Sequence, residues 1–367
     1  MSGGSGPVSL HRSQPPPVGD PIPGGRVTPP CSNPWTSLFV WGNGDVTHCC
    51  YASIGPLGNL HRRTWPEIWA SERLARVRAA MARGDFEAAG CEPWCRVHRW
   101  HRFHGREPAP PRIPEGLGRD APDRFDESPA APRMLGVAID WRCNLSCLHC
   151  GGTRDSPGLP RAQRQALHPL MASVHTLRLM NGEFSTNPEA LAFLGEAGRW
   201  PRQPRVFLNT NAHVPVSRYR DAVDGLRAFH LKLSLEGVGA AYERIRRGGR
   251  WARFVATATE AAGTFDERRR AGGDWKLFLN FCLMRSNLER LPDVARFACD
   301  LGLPLVVNTI HGARHVRENM FLYRHLRPGA DLLRRVLGET LEVMDARSYP
   351  FRDDVATHLD YAERCLG

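Results

Sequence analysis

The chain has 367 residues, a formal net charge of +11 and eleven cysteines, a length that suggests two or three domains and allows a sizeable core. No run of eighteen apolar residues occurs, which leaves no candidate membrane-spanning segment. Met1 to Pro30 lacks the apolar stretch of a secretory signal, so eleven cysteines point to metal binding in a reducing, cytoplasmic setting rather than to a disulfide framework.

In chain order, residues 1–30 are rich in Gly, Pro and Ser and read as a disordered tail. From Cys31 the pattern becomes structured. Leu38-Phe39-Val40-Trp41 enters an Asn43-Gly44 turn, and Val46-Thr47-His48-Cys49 returns as its partner in a hairpin. A helix follows, opened by the capping box Thr64/Glu67 with Pro66 in its first turn, and its apolar side is Ile68, Trp69, Val77 and Met81. The segment ends at Cys91-Glu92-Pro93-Trp94-Cys95. Cys31, Cys49, Cys91 and Cys95 thus surround a hairpin and a helix. Zinc and a [4Fe–4S] cluster both accept four thiolates, and the spacing does not choose between them. Cys50 adjoins Cys49 and competes with it as a ligand.

Most of the basic excess is arginine scattered along helical stretches, the pattern of a solvated face. Only Arg96 to His104 interleaves bases with aromatics, and no RNA-binding module stands beside it, so nucleic acid is not the expected partner. Residues 105–132, with Pro108, Pro110, Pro111 and Pro114, read as a linker.

From Met134 the periodicity is βα repeated. Strands are expected at Leu135–Ile139, His175–Met180, Arg205–Asn209, His230–Leu235, Leu277–Leu283 and Leu305–Asn308. Helices are expected between them, as at Asn187–Gly198, Arg218–Phe229 and Leu288–Leu301. Six such units imply a parallel sheet with helices outside and functional loops at the carboxyl ends of the strands. Beyond Gly312 the chain is mainly helical, with Leu332, Leu333, Val336, Leu337 and Leu341 as an apolar stripe.

Directly after the first of these strands comes Cys143-Asn144-Leu145-Ser146-Cys147-Leu148-His149-Cys150. Three thiolates at C-x3-C-x2-C on one loop can converge on one centre. A structural zinc site wants four ligands, and no fourth Cys or His completes a finger spacing. His149, wedged between two ligands, reads as a packing residue. A cubane cluster held by three Cys keeps one iron open for an exchangeable ligand, which suits a catalytic cluster.

The octet resembles the signature loop of the radical S-adenosylmethionine (radical SAM) enzymes. The resemblance implies a [4Fe–4S] cluster on Cys143, Cys147 and Cys150, with SAM on the open iron. One-electron reduction, supplied by a flavodoxin- or ferredoxin-type partner, would then give a 5′-deoxyadenosyl radical that abstracts hydrogen from substrate. The six βα units resemble the family's partial (β/α)6 barrel, over residues 133–312, followed by a helical extension over 313–367. Asn181-Gly182-Glu183 is similar to the Gly-Gly-Glu motif that holds the SAM amino group. Asn209-Thr210-Asn211 is similar to a Thr-Asn-Gly segment, which brings in Asn211. Ser234-Leu235-Glu236-Gly237 and the following Arg stretch resemble the segments that contact the SAM ribose and carboxylate; Ser234 is the ribose candidate, Arg246 the carboxylate candidate with Arg244 and Arg247 competing, and Glu236 faces SAM or substrate. Residues 31–104 resemble the SPASM module, a small α+β domain that holds an auxiliary [4Fe–4S] cluster. It normally follows the barrel and here precedes it, and Cys49 rather than Cys50 fits its Gly-x4-Cys count.

Of the other cysteines, Cys299 reads as core, Cys365 is near a terminus, and Cys282 on the fifth barrel strand is either a small buried hydrophobe or a hydrogen-atom donor to a substrate radical. The first thirty residues are short for a peptide-binding domain, which favours a small polar metabolite of sugar, aminocyclitol or nucleoside type, oxidised or epimerised, over a ribosomal peptide. A non-catalytic zinc or nucleic-acid-binding protein is the reading of a different class.

Overall fold

The computed structural model describes residues 30–92, 95, 97–98, 130–150, 158–180, 182–310 and 315–366. The expected tail up to residue 29, the expected linker up to residue 129, most of the basic segment and Asn181 lie outside the described residues.

Nine described strands share one sheet: β1 (Ser37–Val40), β2 (Asp45–Thr47), β3 (Gly58–Asn59), β4 (Met134–Val137), β5 (Thr176–Leu179), β6 (Arg205–Thr210), β7 (Ala228–Leu235), β8 (Asp274–Leu283) and β9 (Leu305–Thr309). Their order is β3-β2-β1-β4-β5-β6-β7-β8-β9. The last six are all parallel and coincide with the six expected strands to within a few residues. A parallel sheet needs apolar cover on its faces, and alternation shows how it is obtained here. Leu177 on β5, Leu208 on β6, Leu231 and Leu233 on β7, Leu279 on β8 and Val307 on β9 join the apolar core. Their strand neighbours Arg178, Asn209, Lys232, Asn280 and Asn308 therefore point to the opposite face. One face of the sheet meets helices; the other is polar.

Helices Pro188–Ala197, Trp251–Arg270 and Leu291–Leu301 lie between strands. Asn187 caps the first of these, its side chain accepting from the amides of Glu189 and Ala190. Gly302, in the left-handed region at φ 63°, closes the third. The carboxyl-terminal helices Ala330–Ala346 and Arg352–Leu366 bury Leu333, Val336 and Leu337, and Val355 and Leu359, respectively. None of the described helices is long and apolar enough to cross a membrane.

Two helical expectations need correction. Arg218–Phe229 is not one helix: Arg220–Val223 is a single turn, and the chain is already in β7 at Ala228. Gly225 follows that turn and packs against Gly198, where a Cβ on Gly198 would come within 3.0 Å of the Gly225 backbone. The helix opened by Thr64 stops at Trp69, and Ser71 caps a second, Glu72–Ala82, by accepting from the Leu74 amide. The capping box itself forms, with the Thr64 amide donating to Glu67 Oε2 at 2.7 Å. Ile68, Trp69, Val77 and Met81 are all buried.

The cysteine-rich segment is continuous with the barrel sheet. The β1–β2 hairpin pairs Phe39 with Thr47 and Val40 with Val46, and β1 then runs parallel to β4, with Phe39 opposite Gly136. Gly136 leaves the room that the Phe39 ring fills. Arg78 ties the following helix to this hairpin, donating to the Pro34 carbonyl at 2.9 Å and stacking on Trp69.

Candidate metal centres

The C-x3-C-x2-C loop leaves β4 and is held from three sides. Gly182, at φ 61°, packs under it: a Cβ there would lie 2.5 Å from the Arg142 carbonyl oxygen and 2.7 Å from that of Asp140. Glycine is thus required for backbone-to-backbone approach, and the Glu183 amide completes the contact by donating to the Arg142 carbonyl at 2.9 Å. Asn211, at the end of β6, donates from Nδ2 to Asn144 Oδ1 at 2.7 Å and to Cys143 Sγ at 3.6 Å. From the segment after β7, the carbonyls of Ile245 and Arg247 accept from the amides of Leu148 and Ser146, both at 2.9 Å. Cys143 and Cys147 are half-buried and Cys150 is exposed. Burial pushes the Cys147 thiol up to about 11, against the pull of the Arg246 charge.

Glu183 sits at the centre of this support. It is buried, and its carboxylate accepts from the Asn211 amide at 2.7 Å, Thr210 Oγ1 at 2.8 Å and Ser185 Oγ at 2.6 Å. Burial raises its pKa, opposed by those donors. The residue expected to meet an ammonium thus joins the ends of β5 and β6. Arg246, expected at a ligand carboxylate, forms a buried bidentate pair with Glu236, one arm at 3.0 Å, and reaches Cys147 Sγ at 3.9 Å with Nη1. His149 Nε2 is 3.5 Å from Glu236 Oε1, but burial lowers its pKa, so Arg246 is the cation that pairs with Glu236. Ser234, buried on the polar face of β7, stands opposite Asn280. Cys282, two residues beyond Asn280, is on that same face, half-buried, and its backbone carbonyl accepts from Asn287. Its thiol is pushed well up by burial and by the Glu236 charge.

The second cysteine set borders a cavity of about 520 Å³ on the polar face of the sheet. Cys31, Cys49, Cys91 and Cys95 line it together with Cys50, Trp41, Trp141, Arg178, Asn209, Lys232 and Asn308. Strands from the edge and the middle of the sheet meet here, so the sheet is curled around it. Cys49 Sγ accepts from Asn33 Nδ2 at 3.5 Å and from the Tyr51 amide at 3.4 Å. A hydrogen bond from Cys50 brings the Cys49 thiol down to about 7, with further help from those donors and from the Arg178 charge. Cys31 is raised by burial and by the proximity of Cys49, Cys95 and Cys91, which places those four sulfurs in one group. Among the described residues no three Cys, His, Asp or Glu already stand at the spacing of a single small ion; an iron–sulfur cube spreads its thiolates more widely than one ion does.

Sequence reasoning passed over several residues that build these centres. Trp141, two residues before Cys143, stacks on Trp41 with centroids 6.2 Å apart and links the two cysteine groups. His213 accepts at Nε2 from the Arg250 amide at 2.8 Å and stacks on Tyr242. Arg178 and Lys232 were hidden among 49 basic residues; a cation at an inward position of an expected strand was the available signal.

Residues 31–96 match the SPASM family, an iron–sulfur cluster-binding domain, so this segment is an iron–sulfur module, as its resemblance implied. No curated protein matches the chain in sequence. Among solved structures, SuiB of Streptococcus suis bound to S-adenosylmethionine is similar over 60% of this chain and 49% of its own, at 15% identity and a TM-score of 0.45. TYW1 with a lysine-pyruvate adduct is similar over 57% of this chain and 73% of its own, at 11% identity and a TM-score of 0.40. The radical S-adenosylmethionine methyltransferase TsrM from Kitasatospora setae is similar over 49% and 36%, at 13% identity and a TM-score of 0.37. The chain thus spans about half the length of SuiB.

Proposed function

We propose that the chain is a radical SAM enzyme with one auxiliary cluster, acting on a C–H bond of a small polar metabolite. The observation that carries this reading is the three-thiol loop after β4, held in place by the ends of β5, β6 and β7, with no fourth thiol beside it among the described residues. Three sulfurs with amide and guanidinium donors aimed at them suit a [4Fe–4S] cluster that keeps one iron open. SAM bound to that iron would supply, on one-electron reduction, the 5′-deoxyadenosyl radical. The protein's part is positional. Asn211 and the 245–247 backbone fix the loop, and the Arg246–Glu236 pair sets the charge beside Cys147. Gly182, Ser234 and Asn211 offer polar groups along the rim, and Cys282 stands on the inward face as a hydrogen-atom donor for a substrate radical. Cys31, Cys49, Cys91 and Cys95 would hold the auxiliary cluster. A cavity lined by Asn209, Lys232 and Asn308 supports a small polar substrate.

Anaerobic protein should contain about eight iron per chain and form 5′-deoxyadenosine from SAM and dithionite. Replacing Cys143, Cys147 and Cys150 by Ala should remove about half the iron and all of that product. Deuterium transfer into 5′-deoxyadenosine from labelled sugars or nucleosides, but not from labelled peptides, would support the metabolite class; the reverse would assign a peptide maturase. Stoichiometric zinc, with no 5′-deoxyadenosine after reconstitution, would overturn the enzyme reading.

A further inference from the structure

Among the described residues, Ala212 and Ser348 are the non-glycine residues in the left-handed region. Ala212, at φ 55°, is fully buried and directly follows Asn211. That conformation is strained for a residue with a Cβ, so its surroundings must hold it. His213 does so from its backbone and from both ring nitrogens. Its amide donates to Asn211 Oδ1 at 3.0 Å, Nδ1 lies 3.0 Å from the Asn211 carbonyl oxygen, and Nε2 is 2.8 Å from the Arg250 amide nitrogen. A carbonyl only accepts and an amide N–H only donates, so Nδ1 carries the proton and Nε2 is bare. The ring is buried and parallel to that of Tyr242, and burial lowers its pKa, in keeping with a neutral ring.

The same bonds decide the direction of the Asn211 side chain. Its Oδ1 is taken by the His213 amide, so Nδ2 turns the other way, to Asn144 Oδ1 at 2.7 Å and Cys143 Sγ at 3.6 Å. We propose that His213 is a positioning residue for the triad cluster: by holding the Ala212 turn it aims the Asn211 amide at Cys143. This rests on the reading of a cluster on Cys143, Cys147 and Cys150. A hydrogen bond to a ligating sulfur favours the reduced, more negative state of such a cluster. Arg250 lies just beyond the 245–247 backbone that holds the other half of the loop, so the His213 ring also ties the two supports together.

The test uses the full chain in an anaerobic redox titration followed by electron paramagnetic resonance. The triad's signal is the one absent when Cys143, Cys147 and Cys150 are replaced by Ala. His213→Ala should lower the triad's reduced-to-oxidised ratio at a fixed poise by up to about tenfold, the scale of one hydrogen bond to a charged acceptor. Glycine enters the left-handed region without strain, so adding Ala212→Gly should recover most of that loss, which a residue acting only through packing would not allow. Triad iron lost in His213→Ala and regained with Ala212→Gly would support the same role. An unchanged ratio in His213→Ala with full triad iron, or a lowered one that Ala212→Gly leaves where it is, would overturn the proposal. The parent chain gives a check that needs neither variant nor cluster. In nitrogen magnetic resonance spectra of histidine-labelled protein His213 should carry its proton on Nδ1, and a proton on Nε2 would overturn the proposal. Lack of triad iron in the parent chain would instead overturn the cluster reading, and the proposal with it.

Discussion

At the scale of single residues, buried polar groups shape the site. Around the triad they are paired within the protein: Glu183 with Thr210, Asn211 and Ser185, and Glu236 with Arg246. Breaking such a buried pair leaves an uncompensated charge, so these side chains set the shape of the rim before any ligand arrives. His230, on the inward face of β7, shows the cost of burial. Burial lowers its pKa to about 4 and outweighs the half-exposed Asp274 carboxylate 3.3 Å away. Because the folded value lies below the ordinary 6.5, the unfolded chain takes up the proton first. The stability from neutral His230 is therefore full above about pH 6.5 and is lost as the pH falls toward 4, by up to about 3 kcal/mol. Urea unfolding at pH 7 and pH 4.5 should show a smaller acid loss for His230→Gln than for the parent chain. An identical loss in both would show that His230 does not carry this dependence. Residues of this kind are only partly legible in a sequence. The triad and the auxiliary cysteines announce themselves by spacing, but the partners of Glu183 and Arg246 come from strand ends 28 and 10 residues away, and no local pattern foretells which acceptor they choose.

At the scale of elements, the six barrel strands were readable because each is a short run with apolar residues at least at every other position, bounded by turn residues. The parallel pairing of β1 with β4 was not. Both are short and apolar, and an edge is assigned by geometry that lies outside either segment. The seam depends on Gly136 giving way to Phe39. Gly136→Val would drive a side chain into that ring, an overpacking that costs on the order of 1–3 kcal/mol. Since Phe39 also lines the cysteine cavity, the urea midpoint and the auxiliary iron content should fall together. Loss of stability with full auxiliary iron would mean that the seam and the cysteine group are independent.

At the scale of the whole molecule, both cysteine groups belong to one curled sheet. Cys31, Cys49, Cys91 and Cys95 come from segments far apart in the chain, so a cluster joining them cross-links the hairpin to the end of its module, and binding energy becomes folding energy. Iron-replete protein should accordingly unfold at a higher temperature than chelated protein in anaerobic calorimetry, and equal midpoints would show that the cysteine-rich segment is already fixed without metal. The count of charged residues, by contrast, told little: many of them form exposed ion pairs such as Arg334–Asp331 and Arg364–Asp360, which contribute little each.

The β1–β4 ladder also separates position in space from position along the chain. Each rung depends on which residues lie side by side, and is indifferent to whether the hairpin is synthesised before or after the strand it joins. Tyr361, in the last helix, borders the same cavity as Cys31, so both ends of the described chain come to one place. A gene rearranged to encode residues 31–96 behind Leu366 would need a new tether and could keep the same neighbours, which makes the order of the two modules a matter of genetic history rather than of architecture.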